Sequence, residues 1–226
     1  MGSVHLSVRD RLGEQSPAWD ALVDSSPLPS PFLRSWWLEH VAEGEPVFLL
    51  VHDGHDSGEL VGGLALQRSL KAGVEWLEFL GDGPLQPDHL DLVAAPGRVA
   101  EVVEAVRSWV TRSGDRVLDL RGARAAAWVL DAVPGRGGVS HLEVAPYVEL
   151  PTTVDEYLAS RGGRTRSTIT RSAKRLDKAG VTFTVVGADR RDAGSANAAL
   201  DALAELHDGR WGEQSGFLEG YDRFRA

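Results

Sequence analysis

Val4, Leu6 and Val8 alternate with polar residues, which predicts a half-buried strand over residues 4–8. Ser16 followed by Pro17 is a helix-start pattern, serine as cap and proline in the first turn, and predicts a short helix over 19–23. The run S-S-P-L-P-S-P at 25–31 reads as a loop. Ser30 is placed to cap a second helix over residues 31–42, whose Phe32, Leu33, Trp36 and Trp37 suit a core or the wall of a groove. Apolar runs predict strands at 47–52, 60–67 and 74–80, the first two joined by D-G-H-D-S-G. Val99, Val102, Val103, Val106 and Val110 recur at helical spacing and predict an amphipathic helix over 98–112. A strand at 117–120, a helix at 124–131, a turn P-G-R-G-G, and strands near 140–144 and 147–150 follow. Strands first, then a β-α-β-α-β run, predict an α/β domain with a mixed sheet that ends near residue 145.

The remainder predicts a short helix over 153–159, a helix over 161–178, a strand over 181–186, a helix over 197–211 and a last segment over 217–224. An internal echo lies across the two parts. A strand followed by A-W-D-A-L and then P-F-L-R-S-W is matched by a strand followed by A-L-D-A-L and then G-F-L-E-G-Y. This divides the chain into a first domain at 1–145, an inter-domain segment at 146–180, and the opening of a second domain at 181–226 that lacks the counterpart of residues 47–150. The sequence is therefore expected to be a C-terminally truncated fragment.

Charge changes the picture at one place. Residues 161–178 hold seven of the 24 basic residues and one acid, a charge of +6 on a chain whose net charge is −9. At about 100° per residue, Arg164, Arg171, Arg175 and Lys178 form one stripe, with Ile169, Ala173 and Leu176 opposite. Such a face is either a solvated helix surface or a site for an anion: a phosphate-bearing small molecule, a nucleic acid or an acidic membrane surface. A pI near 5.3 and the lack of aromatics interleaved with the arginines count against nucleic acid. With no cysteine there is no disulfide, thiolate metal site or cysteine nucleophile. The N-terminus has no apolar leader and no run reaches membrane-spanning length, so a cytoplasmic location is expected. His52, Asp53, His55 and Asp56 have the residue types of a metal cluster, but their Gly-rich turn between apolar strands favours a solvated hairpin loop, and no metal is expected. Asp88, His89 and Asp91 line a cleft or sit in a plain loop.

Three stretches carry a family resemblance: F-L-R-S-W-W, then R-T-R-S-T-I-T-R-S-A-K-R-L-D-K-A-G-V-T-F, then L-H-D-G-R-W. Together they resemble the GNAT-superfamily proteins with two tandem acyltransferase folds, above all the CelD-like acetyltransferases associated with cellulose and exopolysaccharide biosynthesis in bacteria. More distantly they are similar to the Fem-type aminoacyl-transferases. The resemblance implies a degenerate GNAT-like N-terminal domain followed by the start of a catalytic one. It implies N-acyl transfer from acetyl-CoA or another acyl-CoA to an amine of a sugar or peptide precursor. It further implies an anionic, nucleotide- or phosphate-linked acceptor held by Arg164, Arg166, Arg171, Lys174 and Arg175, with His207, Arg210 and Trp211 matching a second motif. No catalytic residue is identified. GNAT enzymes cradle the CoA pyrophosphate on a Q/R-x-x-G-x-G/A loop at a helix start, and no such run occurs here, so the donor site is expected in the missing C-terminal part and the fragment itself to be inactive or nearly so. The alternative is a non-catalytic module that binds an anionic ligand through the basic helix.

Overall fold

The computed structural model describes residues 3–41, 44–83, 87–112, 116–133, 138–141, 144, 146, 148–186 and 193–212. The chain divides into two compact units, Met1–Gly138 with Trp211–Ala226, and Val139–Arg210.

The first unit is a mixed α/β structure, the expected class. Strand β1 (Val4–Arg9) leads through a 3-10 turn at Gly13–Gln15 into helix α1 (Ser16–Ser25), and a second 3-10 turn at Pro31–Leu33 leads into α2 (Ser35–Val41). Strands β2 (Glu45–Asp53), β3 (Leu60–Lys71) and β4 (Val74–Phe79) form an antiparallel meander, and β1 pairs antiparallel with the outer side of β2. A two-residue strand, β5 (Val93–Ala94), pairs with β3; helix α3 (Val99–Arg112) then delivers β6 (Arg116–Asp119) parallel to β4. The strand order is β1-β2-β3-β4-β6, followed in the chain by a short α4 (Val129–Ala132).

β2 is buried on both faces, which is why residues 47–51 are an unbroken apolar run rather than an alternation. Two adjacent glycines in β3 set how near the helices come. Successive strand residues face opposite sides. A Cβ on Gly62 would lie 2.5 Å from Val102 Cγ2 of α3, and one on Gly63 would lie 2.8 Å from the Trp19 ring of α1. Helices α1 and α3 therefore cover opposite faces of the sheet. Trp19 donates its indole N–H to the Leu33 carbonyl (2.8 Å) and meets Phe48 edge-on; Leu33 and Trp37 are buried in the core and Phe32 packs against it, but Trp36 stays 53% exposed. At the other side of the sheet Glu75 bridges Arg68 (2.7 Å) and Arg116 (2.9 Å), and Arg116 stacks over Trp109, which ties β3, β4, β6 and α3 together.

Several local expectations are corrected. Ser16 is not an N-cap: the 3-10 turn runs straight into α1, Gln15 takes the cap position without a side-chain bond, and the Ser16 hydroxyl donates back to the Gly13 carbonyl. Ser30 does cap, accepting from the Phe32 N–H, but it caps the 3-10 turn, and the helix proper waits until Ser35. The helix expected over 124–131 is α-helical only at Val129–Ala132, because its start is set from a distance. The buried Asp91 carboxylate accepts from the N–H groups of Leu92, Trp128 and Val129 at 2.8–2.9 Å and serves as the missing cap. Burial pushes this carboxyl above the usual carboxylate range, opposed by those three N–H groups. Asp91 is thus a structural group, which settles its place among Asp88, His89 and Asp91.

The second unit is helical among its described residues. Helix α5 (Val154–Ser160) opens on a capping box between Thr153 and Glu156. Helix α6 (Gly163–Lys178) ends in a Schellman turn. Gly180, at φ +67°, donates to the Asp177 carbonyl, and Val181 donates to that of Leu176. Helix α7 (Ala193–Trp211) follows. The strand expected over 181–186 does not form, although its apolar alternation is real. A strand needs a neighbour to take its N–H and C=O groups, and Phe183 and Val185 stay 79% and 82% exposed. The described residues within 140–150 are likewise not strand, and residues 217–224, with the second half of the internal echo, lie outside the described residues.

Candidate functional site

The cationic face of α6 is the strongest charge feature of the described chain. Arg171, Lys174, Arg175 and Lys178, with the hydroxyl residues Ser167 and Thr170, line an open groove of about 620 Å³ along the helix. Arg164 continues the same stripe two turns toward the N-terminus. Arg166 does not: at about 100° per residue it sits about 140° around the helix from Arg171, and the groove excludes it. None of Arg164, Arg166, Arg171, Lys174, Arg175 and Lys178 forms an ion pair among the described residues. In the first unit, by contrast, Arg9, Arg34, Arg68, Lys71, Arg98 and Arg116 each hold a carboxylate.

This face is costly for an isolated helix. Arg171/Arg175 and Lys174/Lys178 are like-charged i, i+4 pairs, and no acid occupies the first turn. Arg175 and Lys178 do sit well, in the last turn at the negative end of the helix dipole. Nor is the opposite face sunk in a core. The helix has no buried residue, and Ile169 and Leu176 are 37% and 40% exposed.

His207, Arg210 and Trp211 lie at i, i+3 and i+4 on the last turns of α7 and so share one face of it. They do not line the α6 groove.

No family model and no curated protein matches the chain. Among solved structures, an acetyltransferase of Trypanosoma brucei is a distant neighbour, at 14% identity and a TM-score of 0.36, over 64% of this chain and 100% of that one.

A second concave site lies on the α1 side of the sheet, where the sequence pattern points only to a hairpin loop. Between the β1–α1 loop and the β2–β3 hairpin is a cavity of about 260 Å³. His52 forms part of its wall, 2% exposed, with neither ring nitrogen hydrogen-bonded; Asp56 Oδ1 is 4.0 Å from Nδ1. The mouth carries Arg9, paired to Asp56 at 2.6 Å. Asp56 lies below the usual carboxylate range, the nearby Ser7 being the largest cause; burial opposes it next, and Arg9 and His52 add to the lowering. His55 and Asp53 go elsewhere: Ser57 is on His55, and Arg98 is on Asp53. Among the described residues no group of three or more His, Asp and Glu side chains is placed to hold a metal, and no helix is long and apolar enough to cross a membrane.

Burial lowers the His52 pKa from 6.5, with His5 and Arg9 acting the same way and Asp56 opposing. The unfolded chain therefore binds this proton more readily than the folded one. The contribution is present above 6.5 and is lost as pH falls through and below that value. Urea midpoints are expected to drop between about pH 7.5 and about pH 5.5, and a His52→Asn variant to flatten that part of the profile. An unchanged slope in the variant would assign the drop to other groups.

Proposed function

We propose that this chain is part of an N-acyltransferase of the tandem GNAT type and that α6 grips the anionic part of the acceptor. The observation that carries the reading is the set of unpaired cations along one face of α6, on a chain that is otherwise acidic and whose first unit holds most of its described cations against carboxylates. The guanidinium forks of Arg171 and Arg175 match two oxygens of a phosphate each, while Lys174 and Lys178 supply point charges. Ser167 and Thr170 add hydroxyl donors at the groove wall. In the reaction the acceptor amine attacks the thioester carbonyl carbon; the C–N bond forms, the C–S bond breaks, the thiolate leaves, and the amine proton passes to a base.

The start of helix α3 is not a seat for an acyl-CoA pyrophosphate. Helix α3 follows a glycine turn at Gly97, but its first turn carries Glu101, and Arg98 beside it is held by both Asp53 and Glu101. A carboxylate there repels an anion at the helix start. This feature equally favours the second reading, a module that binds an anionic ligand without transfer.

One experiment separates the two. The purified chain is titrated with a nucleotide-linked amino sugar at about 50 mM and about 200 mM salt, and thiol release from acetyl-CoA is followed in the same mixture. Acceptor binding with a shallow salt slope that weakens when the same sugar lacks its amine supports the transferase, and thiol release by this chain alone is expected to be little or none. Equal binding with and without the amine supports the module. A steep slope with polyanions and no binding of the amino sugar sinks both the acceptor class and the proposed role of α6.

A further inference from the structure

We propose that the cavity between the β1–α1 loop and the β2–β3 hairpin binds a small neutral molecule bearing hydroxyl or carboxamide groups, recognised by the His52 imidazole. The starting point is the ring itself. Buried side-chain nitrogens in folded proteins are nearly always hydrogen-bonded, and an exception calls for a functional or structural reason. Here both nitrogens of a side chain 98% buried lack a hydrogen bond, the nearest charged atom being Asp56 Oδ1 at 4.0 Å from Nδ1, and the ring lines a cavity large enough for a molecule of several heavy atoms.

The backbone supplies a second, independent sign. His52 pairs with Leu60 whereas Val51 pairs with Gly62, so Val61 is an extra residue and β3 bulges opposite His52. Bulges re-aim side chains and gather beside functional sites. In the register with β1, His52 shares a face with Leu50, and that face is the one against which the β1–α1 loop folds.

The chemistry of the lining selects the ligand. Its charges cancel in place, Arg9 with Asp56 at 2.6 Å and Arg11 with Asp10 at 3.4 Å, so no net charge remains to draw an ion. What is left is one neutral ring and the Gln15 amide, above the apolar side chains of Leu12 and Leu50. A neutral imidazole offers one N–H and one lone pair, so its complement must both accept and donate. A hydroxyl or a carboxamide does both, and the carbon skeleton of a sugar or an amide rests on the leucines. Burial keeps the ring neutral, in line with this pairing. The site belongs to the first unit and does not depend on the function assigned to α6.

The test uses the full chain with its histidine ring nitrogens labelled for NMR. Glucose, acetamide and sodium acetate are titrated separately. Saturable movement of the His52 ring signals with glucose or acetamide, but not with acetate, supports the site; glucose against acetamide decides between hydroxyl and carboxamide recognition. A Gln15→Ala variant, which touches the wall and not the core, is expected to raise the dissociation constant several-fold. Acetate moving the ring as strongly as the neutral probes would overturn the proposal in favour of an anion site. No movement with any of the three, in a chain whose spectrum is folded, would overturn it as well.

Discussion

Gly63→Val is expected to lower the stability of the first unit by about 3 kcal/mol or more, the largest loss from any single substitution discussed for this chain. A Cβ at this position would lie 2.3 Å from the Leu49 carbonyl oxygen and 2.8 Å from the Trp19 ring. The carbonyl oxygen cannot swing aside without breaking into the β2–β3 ladder. Trp19 is equally held, by the Leu33 carbonyl and by Phe48. Ordinary overpacking lets side chains give way; here backbone and an anchored indole stand on either side. The check is a urea titration followed by near-ultraviolet circular dichroism, with Gly138→Ala as the control, since nothing lies within 4 Å of a Cβ there. A Gly63→Val midpoint equal to that of the control would mean that α1 does not press on β3 as described.

Arg171→Glu combined with Arg175→Glu is expected to weaken binding of a phosphate-bearing acceptor by about 10²–10⁴-fold, since each hydrogen bond to a charged group is worth about 1.5–3 kcal/mol. The fold is not expected to suffer, because both side chains are solvent-exposed and unpaired. The two glutamates repel each other at i, i+4 as the arginines did, but each gains an opposite charge at i+3, Lys174 for position 171 and Lys178 for position 175. Far-ultraviolet circular dichroism should therefore be unchanged while calorimetric binding is lost. Arg166→Glu is the informative companion. It changes the same net charge per residue but sits about 140° around the helix from Arg171, and should cost much less. If Arg166→Glu weakens binding as much as either groove arginine, the ligand responds to the helix's total charge and not to its face.

Much of this was legible from residue pattern because it rests on local periodicity. The i, i+3, i+4 valines of α3 and the apolar runs of β2 and β3 announce themselves, and the same period aligned Arg171, Arg175 and Lys178 with Arg164. Arg166 entered with the motif and not by geometry, and the helix separates it from the groove. What stayed hidden was set by distant parts of the chain. β5 is two residues long and exists only through its pairing with β3. The start of α4 depends on Asp91, 38 positions before Val129. His52 was read with the glycine-rich turn that follows it, yet it continues the face of Leu50 at strand spacing. That i, i+2 relation was present in the sequence; the β1–α1 loop that encloses the ring was not. The strand pattern at 181–186 shows the converse, a local preference with no neighbour to satisfy it.

Neither α5 nor α6 buries a single residue, whereas the first unit surrounds its sheet with a continuous apolar core. Cooperative melting depends on shared buried surface. Heating this chain should therefore not give one transition: amide protons of α6 will exchange with solvent long before those of β2 and β3. A single melting temperature read from total helix signal would average two unlike processes. Protection of the α6 amides against exchange then becomes the most sensitive report of what the cationic face holds.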